Sequence, residues 1–131
     1  MSLAYMLDTN TVSYALREEG GVARQISTRK PSAMCVSAIS VAELRFGASK
    51  EKSPRRQDAI STFLESMRIF PFGEAEAAVF GQMLAELERV GTPLGSYDAL
   101  IAAHAITLNL TLVTRDRAFN RIPNLSITDW F

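Results

Sequence analysis

Five short apolar runs, each separated from the next by a stretch with helical character, constrain the fold of this chain more than any other feature. They cover residues 3–7, 34–37, 69–72, 111–114 and 125–127. Short apolar strands that alternate with helices point to an α/β fold with a mainly parallel sheet, covered by helices that connect one strand to the next. The helical stretches are 9–18, 22–29, 40–48, a segment opening at Ser53-Pro54, 74–90 and 97–108. Ser53-Pro54 is a strong start, a capping hydroxyl followed by proline at the first helical position. Ile60, Phe63, Leu64 and Met67 form one face of the helix that follows, and Ala75, Val79, Met83, Leu87 and Val90 recur at helical spacing in the next. Gly91-Thr92-Pro93 closes that second helix, with glycine just past its end. Ser96 is placed to cap the helix beginning at Tyr97, and residues 117–119 read as a helical turn.

No repeat, low-complexity tract or linker interrupts the 131 residues, so a single domain over 1–131 is expected, long enough to bury a core without disulfides or structural metal. Cys35, the only cysteine, lies in an apolar run and reads as a buried structural thiol. No apolar stretch approaches the ~20 residues of a membrane span, and the N-terminus lacks the sections of a signal peptide. A cytoplasmic protein is the simplest expectation. Basic and acidic residues balance at 14 each, which argues mildly against a general nucleic-acid binder but leaves room for a local basic surface. Arg45, Lys50, Lys52, Arg55 and Arg56 fall close together, either as such a surface or as a solvated connection between two helices.

In a parallel α/β layout the strand ends and the starts of the following helices share one edge, where open sheets bind ligands. Four acids fall at such places. Asp8 and Asp116 each follow a strand, while Glu43 and Asp98 are expected in the first turn of a helix. Singly, each has a plainer role. Asp8 and Asp116 suit helix caps, Ser40-Val41-Ala42-Glu43 fits a capping box, and Asp98 suits the positive end of its helix. Together, all four can converge on one cleft. The apolar run Ala99-Leu100-Ile101-Ala102-Ala103 makes Asp98 a partly desolvated acid.

Crowded carboxylates repel and take up protons unless a positive charge lies between them. Hard divalent cations suit oxygen-rich sites of this kind, and a bound water then becomes a nucleophile for phosphodiester hydrolysis. Thr9, Asn10 and Thr114 stand beside the acids as groups that can orient carboxylates or water, or as ordinary turn chemistry. His104 lies about two helical turns beyond Asp98 and is expected to be packed or at the surface, not a general base.

The chain resembles the PIN-domain ribonucleases, and most closely the VapC toxins of bacterial toxin–antitoxin modules. Met6-Leu7-Asp8-Thr9-Asn10, Val36-Ser37-Ala38-Ile39, Ala42-Glu43-Leu44-Arg45-Phe46-Gly47, Gly91-Thr92-Pro93-Leu94-Gly95, Asp98-Ala99-Leu100-Ile101-Ala102-Ala103-His104-Ala105 and Leu112-Val113-Thr114-Arg115-Asp116 carry the likeness, with Phe119 and Asp129-Trp130 closing it. The ordered set is strong where each piece alone is weak. The resemblance implies an α/β/α sandwich around a mainly parallel sheet, Mg²⁺- or Mn²⁺-dependent endonuclease activity on structured RNA such as tRNA or rRNA, and a homodimer. It implies Asp8, Glu43, Asp98 and Asp116 as catalytic metal ligands. Some relatives carry asparagine at the position of Asp116. It also implies a VapB-like antitoxin covering the site, with DNA met only through that antitoxin. Val12, Tyr14, Leu16, Val22 and Ile26 are candidates for the antitoxin's apolar footing, or for the core, and an antitoxin arginine could replace the metal's charge. Two rival readings are an aspartyl-phosphate chemistry on Asp8, weakened because Asn10 stands where a second aspartate is expected, and a catalytically idle binding module.

Overall fold

The computed structural model describes residues 2–131. β1 (Tyr5–Leu7), β2 (Met34–Ser37), β3 (Arg68–Phe70), β4 (Thr111–Val113) and β5 (Ile127–Thr128) form one sheet in the order β3-β2-β1-β4-β5. Every neighbouring pair is parallel, with Met6 opposite both Cys35 and Leu112. Six α-helices join them: α1 (Thr9–Leu16), α2 (Val22–Ser27), α3 (Ala38–Lys50), α4 (Pro54–Glu65), α5 (Glu74–Arg89) and α6 (Ser96–Thr107).

Successive strand residues point to opposite faces, and the core divides accordingly. Met6, Cys35 and Leu112 pack with Leu87 of α5 and with Ile101, Ala102 and Ala105 of α6. Leu7, Met34, Val36 and Val113 pack on the other face with Val12 of α1, Leu44 and Ala48 of α3 and Ile60 of α4. Helices therefore flank both faces of a five-stranded parallel sheet. Ala99, Ile101, Ala102, Ala103, His104 and Ala105 are all buried, so α6 is the most enclosed helix, with Asp98 at the edge of its buried part. Burial around Cys35 pushes its thiol up to about 12, which makes it an inert core group.

The ends of the elements differ from the expectations in instructive places. Ser37, not Ser40, caps α3: its Oγ accepts the Ile39 N–H at 3.0 Å, and the helix begins at Ala38. Glu43 consequently lies in the second turn, and the expected capping box with Ser40 does not form. Gly95, not Ser96, precedes α6, with no side-chain cap. β3 starts one residue early and stops at Phe70, and β5 begins at Ile127, two residues later than expected. Val90, expected on the buried face of α5, is half exposed just past the helix, whereas Gly91 adopts φ +78° and ends it as expected. Val12 and Val22 are core residues, so neither is available to a partner.

Candidate functional site

The strand order reverses direction of growth between β1 and β4, and that switch point is where an open parallel sheet leaves a crevice at its carboxyl edge. Asp8 leaves β1 there. Its backbone N–H donates to the Val113 carbonyl of β4 at 3.1 Å, which ties the two strand ends together. One carboxylate oxygen, Oδ1, accepts the Thr11 N–H at 2.8 Å and caps α1, while Oδ2 accepts the Thr114 hydroxyl at 2.6 Å. Capping and convergence are thus one arrangement. Asp8 is only 5% exposed, and burial pushes its carboxyl above the usual range against the opposing effect of the Thr11 and Thr114 hydrogen bonds.

Thr114 does more than orient one acid. Its Oγ1 also accepts the backbone N–H of Asp116 at 3.0 Å, so a single buried hydroxyl spans Asp8 and Asp116. Asp116 is exposed and caps the 3-10 helix Arg117–Arg121 through the Ala118 N–H at 2.9 Å. Thr9, the first residue of α1, donates to Glu43 Oε1 at 2.6 Å and so links α1 to α3. Thr11, which sequence reasoning passed over, donates its hydroxyl to the Val113 carbonyl at 2.9 Å and anchors α1 over β4. Only its place three residues after a capping aspartate hinted at a role. Asn10 is exposed at the rim, beside Tyr14, Arg115 and Asp116.

Asp98 completes the arrangement from the first turn of α6. Its carboxyl is pushed up to about 6, chiefly by burial and then by the negative charges of Asp116, Glu43 and Asp8 in that order. Asp98 therefore lies in the field of the other three carboxylates. The three ion pairs among the described residues, Arg17–Glu19, Arg56–Glu51 and Arg89–Glu86, are elsewhere, so none of the four acids has a basic partner. Among the described residues no three potential ligands stand close enough to enclose a cation with protein atoms alone. Carboxylates that share a field without touching suit a hydrated cation such as Mg²⁺, which takes one or two of them directly and keeps several waters. The donor set, all oxygen, fits that ion.

Other sequence candidates separate cleanly. His104 is buried, with Nδ1 2.8 Å from Ser37 Oγ and its ring edge-on to Phe72 at 5.5 Å. Burial holds its imidazole below the usual range, as expected of a packed histidine. The basic run divides. Arg45 is engaged by Gln57 and Ser61, and Arg56 by Glu51, while Lys50, Lys52 and Arg55 are exposed. No helix among the described residues is long and apolar enough to cross a membrane.

Comparison with known proteins gives concordant results. The PIN domain family model matches residues 5–125. The tRNA(fMet)-specific endonuclease VapC of Salmonella typhimurium is 38% identical over 130 residues, covering 98% of each chain. Among solved structures, DNA-bound VapBC from Salmonella typhimurium superposes with a TM-score of 0.93 at 36% identity, over 98% of this chain and 99% of that one. VapBC2 from Rickettsia felis, bound to a DNA fragment from its promoter, gives a TM-score of 0.90 at 34% identity, over 98% of this chain and 100% of that one.

Proposed function

This chain belongs to the PIN-domain family, among the VapC endoribonuclease toxins of VapBC toxin–antitoxin systems, and from that premise we propose that Asp8, Glu43, Asp98 and Asp116 hydrolyse phosphodiester bonds of structured RNA with a bound Mg²⁺ or Mn²⁺. The observation that carries this reading is the threonine-linked set of acids at the carboxyl edge, Asp8 and Asp116 joined through Thr114 and Glu43 held by Thr9, with no ion pair to any of them and with the Asp98 carboxyl raised beside them. Asp8, Glu43 and Asp98 would hold the cation, one or two of them directly and the rest through its waters, and Asp116 would support them. When bound, the cation lowers the pKa of a coordinated water and offsets charge developing on the phosphate. Thr114 and Thr9 keep the carboxylates of Asp8 and Glu43 turned toward the cleft. The relative named as tRNA(fMet)-specific makes initiator tRNA the first substrate to try. Purified protein is expected to cut that tRNA in Mg²⁺ and to stop on addition of EDTA. Cleavage indifferent to EDTA would contradict the metal reading.

Two substitutions separate positioning from packing. Thr114→Val keeps the shape of the side chain but removes the hydroxyl shared by Asp8 and Asp116. Cleavage should fall about tenfold or more, the usual effect of losing a group that orients metal ligands. His104→Leu removes the Ser37 contact at a cost of about 1 kcal/mol. It should lower the melting temperature while cleavage stays of the parental order. A pH–rate profile that lost one limb in His104→Leu would instead make the histidine a proton carrier.

A VapB-like antitoxin is the proposed partner, in keeping with the DNA-bound VapBC complexes of the two relatives. A groove of about 280 Å³ between α1 and α4, lined by Ser13, Leu16, Arg17, Arg55, Arg56 and Ala59, offers it an apolar floor with a basic rim. Tyr14, Leu16 and Ile26 remain partly exposed for it. An antitoxin arginine reaching the carboxylates would supply the positive charge they lack, and DNA would be met only through the antitoxin. A homodimer is the proposed state of the free chain. Co-expression with the neighbouring antitoxin should give a complex without RNase activity, and full activity in that complex would sink the proposal.

A further inference from the structure

We propose that Arg115 is a pre-oriented clamp for an RNA phosphate next to the scissile one, held in place by Phe131. The inference deepens the ribonuclease reading and rests on it. Arg115 stands between Thr114 and Asp116 in the chain, yet it forms no ion pair or side-chain hydrogen bond among the described residues. An arginine placed among carboxylates ordinarily pairs with one of them. Here the guanidinium lies instead on the Phe131 ring, with its central carbon 3.7 Å from the ring centroid.

Phe131 is itself fixed. Its ring meets the edge of Tyr14 at 5.0 Å, and its carbonyl accepts the Gly21 N–H at 2.5 Å. A side chain at Gly20 would collide with it at 2.7–2.8 Å, and φ +63° at that position favours glycine in any case. Tyr14 is covered in turn by Arg17, 5.7 Å from its centroid, which Glu19 pins at 2.8 Å. The two rings in contact, Tyr14 and Phe131, are thus each covered by a guanidinium, Arg17 on the first and Arg115 on the second.

A guanidinium stacked through its face keeps its N–H donors free in the plane. Arg115 and Asp116 together line two open depressions. One, of about 350 Å³, is shared with Asn10 and Tyr14, and the other, of about 240 Å³, with Arg117, Asn120 and Asp129. A chain of zero net charge, with four carboxylates at its site, needs local positive charge to admit a polyanion. Arg115 supplies it beside the reacting phosphate. Stacking removes much of the freedom a long side chain loses on binding, and the planar fork matches phosphate oxygens in pairs.

The test is steady-state cleavage of tRNA in Mg²⁺ by the parent, Arg115→Ala, Arg115→Lys and Phe131→Ala, at several salt concentrations. Arg115→Ala should raise KM about tenfold or more with kcat of the parental order. It should also make log kcat/KM fall less steeply with log salt, by about 0.7, the contribution of one phosphate contact on a single strand. Arg115→Lys should keep the salt slope while KM still rises, because an ammonium retains charge but not the planar fork. Phe131→Ala should raise KM by less than Arg115→Ala and leave the salt slope as it is. Parental KM and salt slope in Arg115→Ala, alongside an active parent, would overturn this inference alone. A fall in kcat at parental KM would overturn it too, by moving Arg115 into the chemical step. A parent that neither binds nor cuts RNA would overturn the ribonuclease reading and this one together.

Discussion

Asp8→Asn is expected to lower RNA cleavage by on the order of a hundredfold to a thousandfold, the scale seen when one pre-organised group that stabilises developing charge is removed. The same change should leave the metal-free fold at least as stable as the parent at neutral pH. Both outcomes follow from where the carboxylate lies. Asparagine can still accept the Thr11 N–H through Oδ1, and its amide can donate to the Thr114 hydroxyl, so the cap on α1 and the bridge to β4 survive. What disappears is a buried negative charge. The Asp8 carboxyl is raised above its unfolded value, so its stabilising contribution is fully present only below about pH 4 and is lost as pH rises through the folded value. Above its folded value the parent carries the penalty of the charged form, and Asp8→Asn carries none at any pH. Melting curves in EDTA, read beside single-turnover cleavage in Mg²⁺, check both halves. An Asp8→Asn protein that cuts RNA at the parental rate would dismiss Asp8 as a ligand. One that melts well below the parent would mean the charge itself stabilises the fold.

Asp98 gives the second large effect, and it is one of pH. In the absence of a cation its carboxyl lies at about 6, raised by burial and then by its three acidic neighbours. A group whose folded value is raised stabilises the fold below its unfolded value and loses that contribution as pH rises through the folded one. The metal-free protein should therefore melt at progressively lower temperature between about pH 4 and pH 6, levelling off above that. Asp98→Asn should flatten this part of the curve. Added Mn²⁺ should shorten or abolish the fall from its upper end, because the cation competes with protons for the same oxygens and lowers only the folded value. Cleavage at limiting cation should rise over the same window, and Asp98→Asn should depress it on the order of a hundredfold or more. Identical pH–melting curves for the parent and Asp98→Asn would detach this carboxylate from the cluster.

The parallel α/β architecture is legible because β2 is buried at every position and the helices between strands carry their own start and stop signals, as at Ser53-Pro54 and Gly91. Asp8 is legible for the same reason, since a residue directly after a buried strand has one edge of the sheet to occupy. The place of Glu43 within its helix is the instructive miss. Ser40 and Glu43 stand at capping-box spacing, but Ser37, at the end of the strand, caps the helix first and also meets His104. Glu43 is thereby free to accept Thr9 from across the cleft. A local pattern lost to a tertiary contact that no spacing rule contains. Val12 and Val22 fail similarly as partner-facing residues, because amphipathic spacing marks an apolar face without saying which neighbour covers it. The stack from Arg17 to Arg115 is illegible for a plainer reason. It requires Phe131 to lie against Tyr14, and more than a hundred residues separate the two.

The central claim is that the carboxylates form one cation site, and calorimetric titration of Mn²⁺ into the RNA-free protein tests it most directly. The parent should bind with measurable heat. Asp8→Asn and Asp98→Asn should each weaken binding at least tenfold, about 1.4 kcal/mol. Asp58→Asn, which alters an exposed acid on α4, should match the parent. Equal Mn²⁺ affinity in all four proteins would contradict the claim, and would return the acids to what each resembles alone, a set of helix caps.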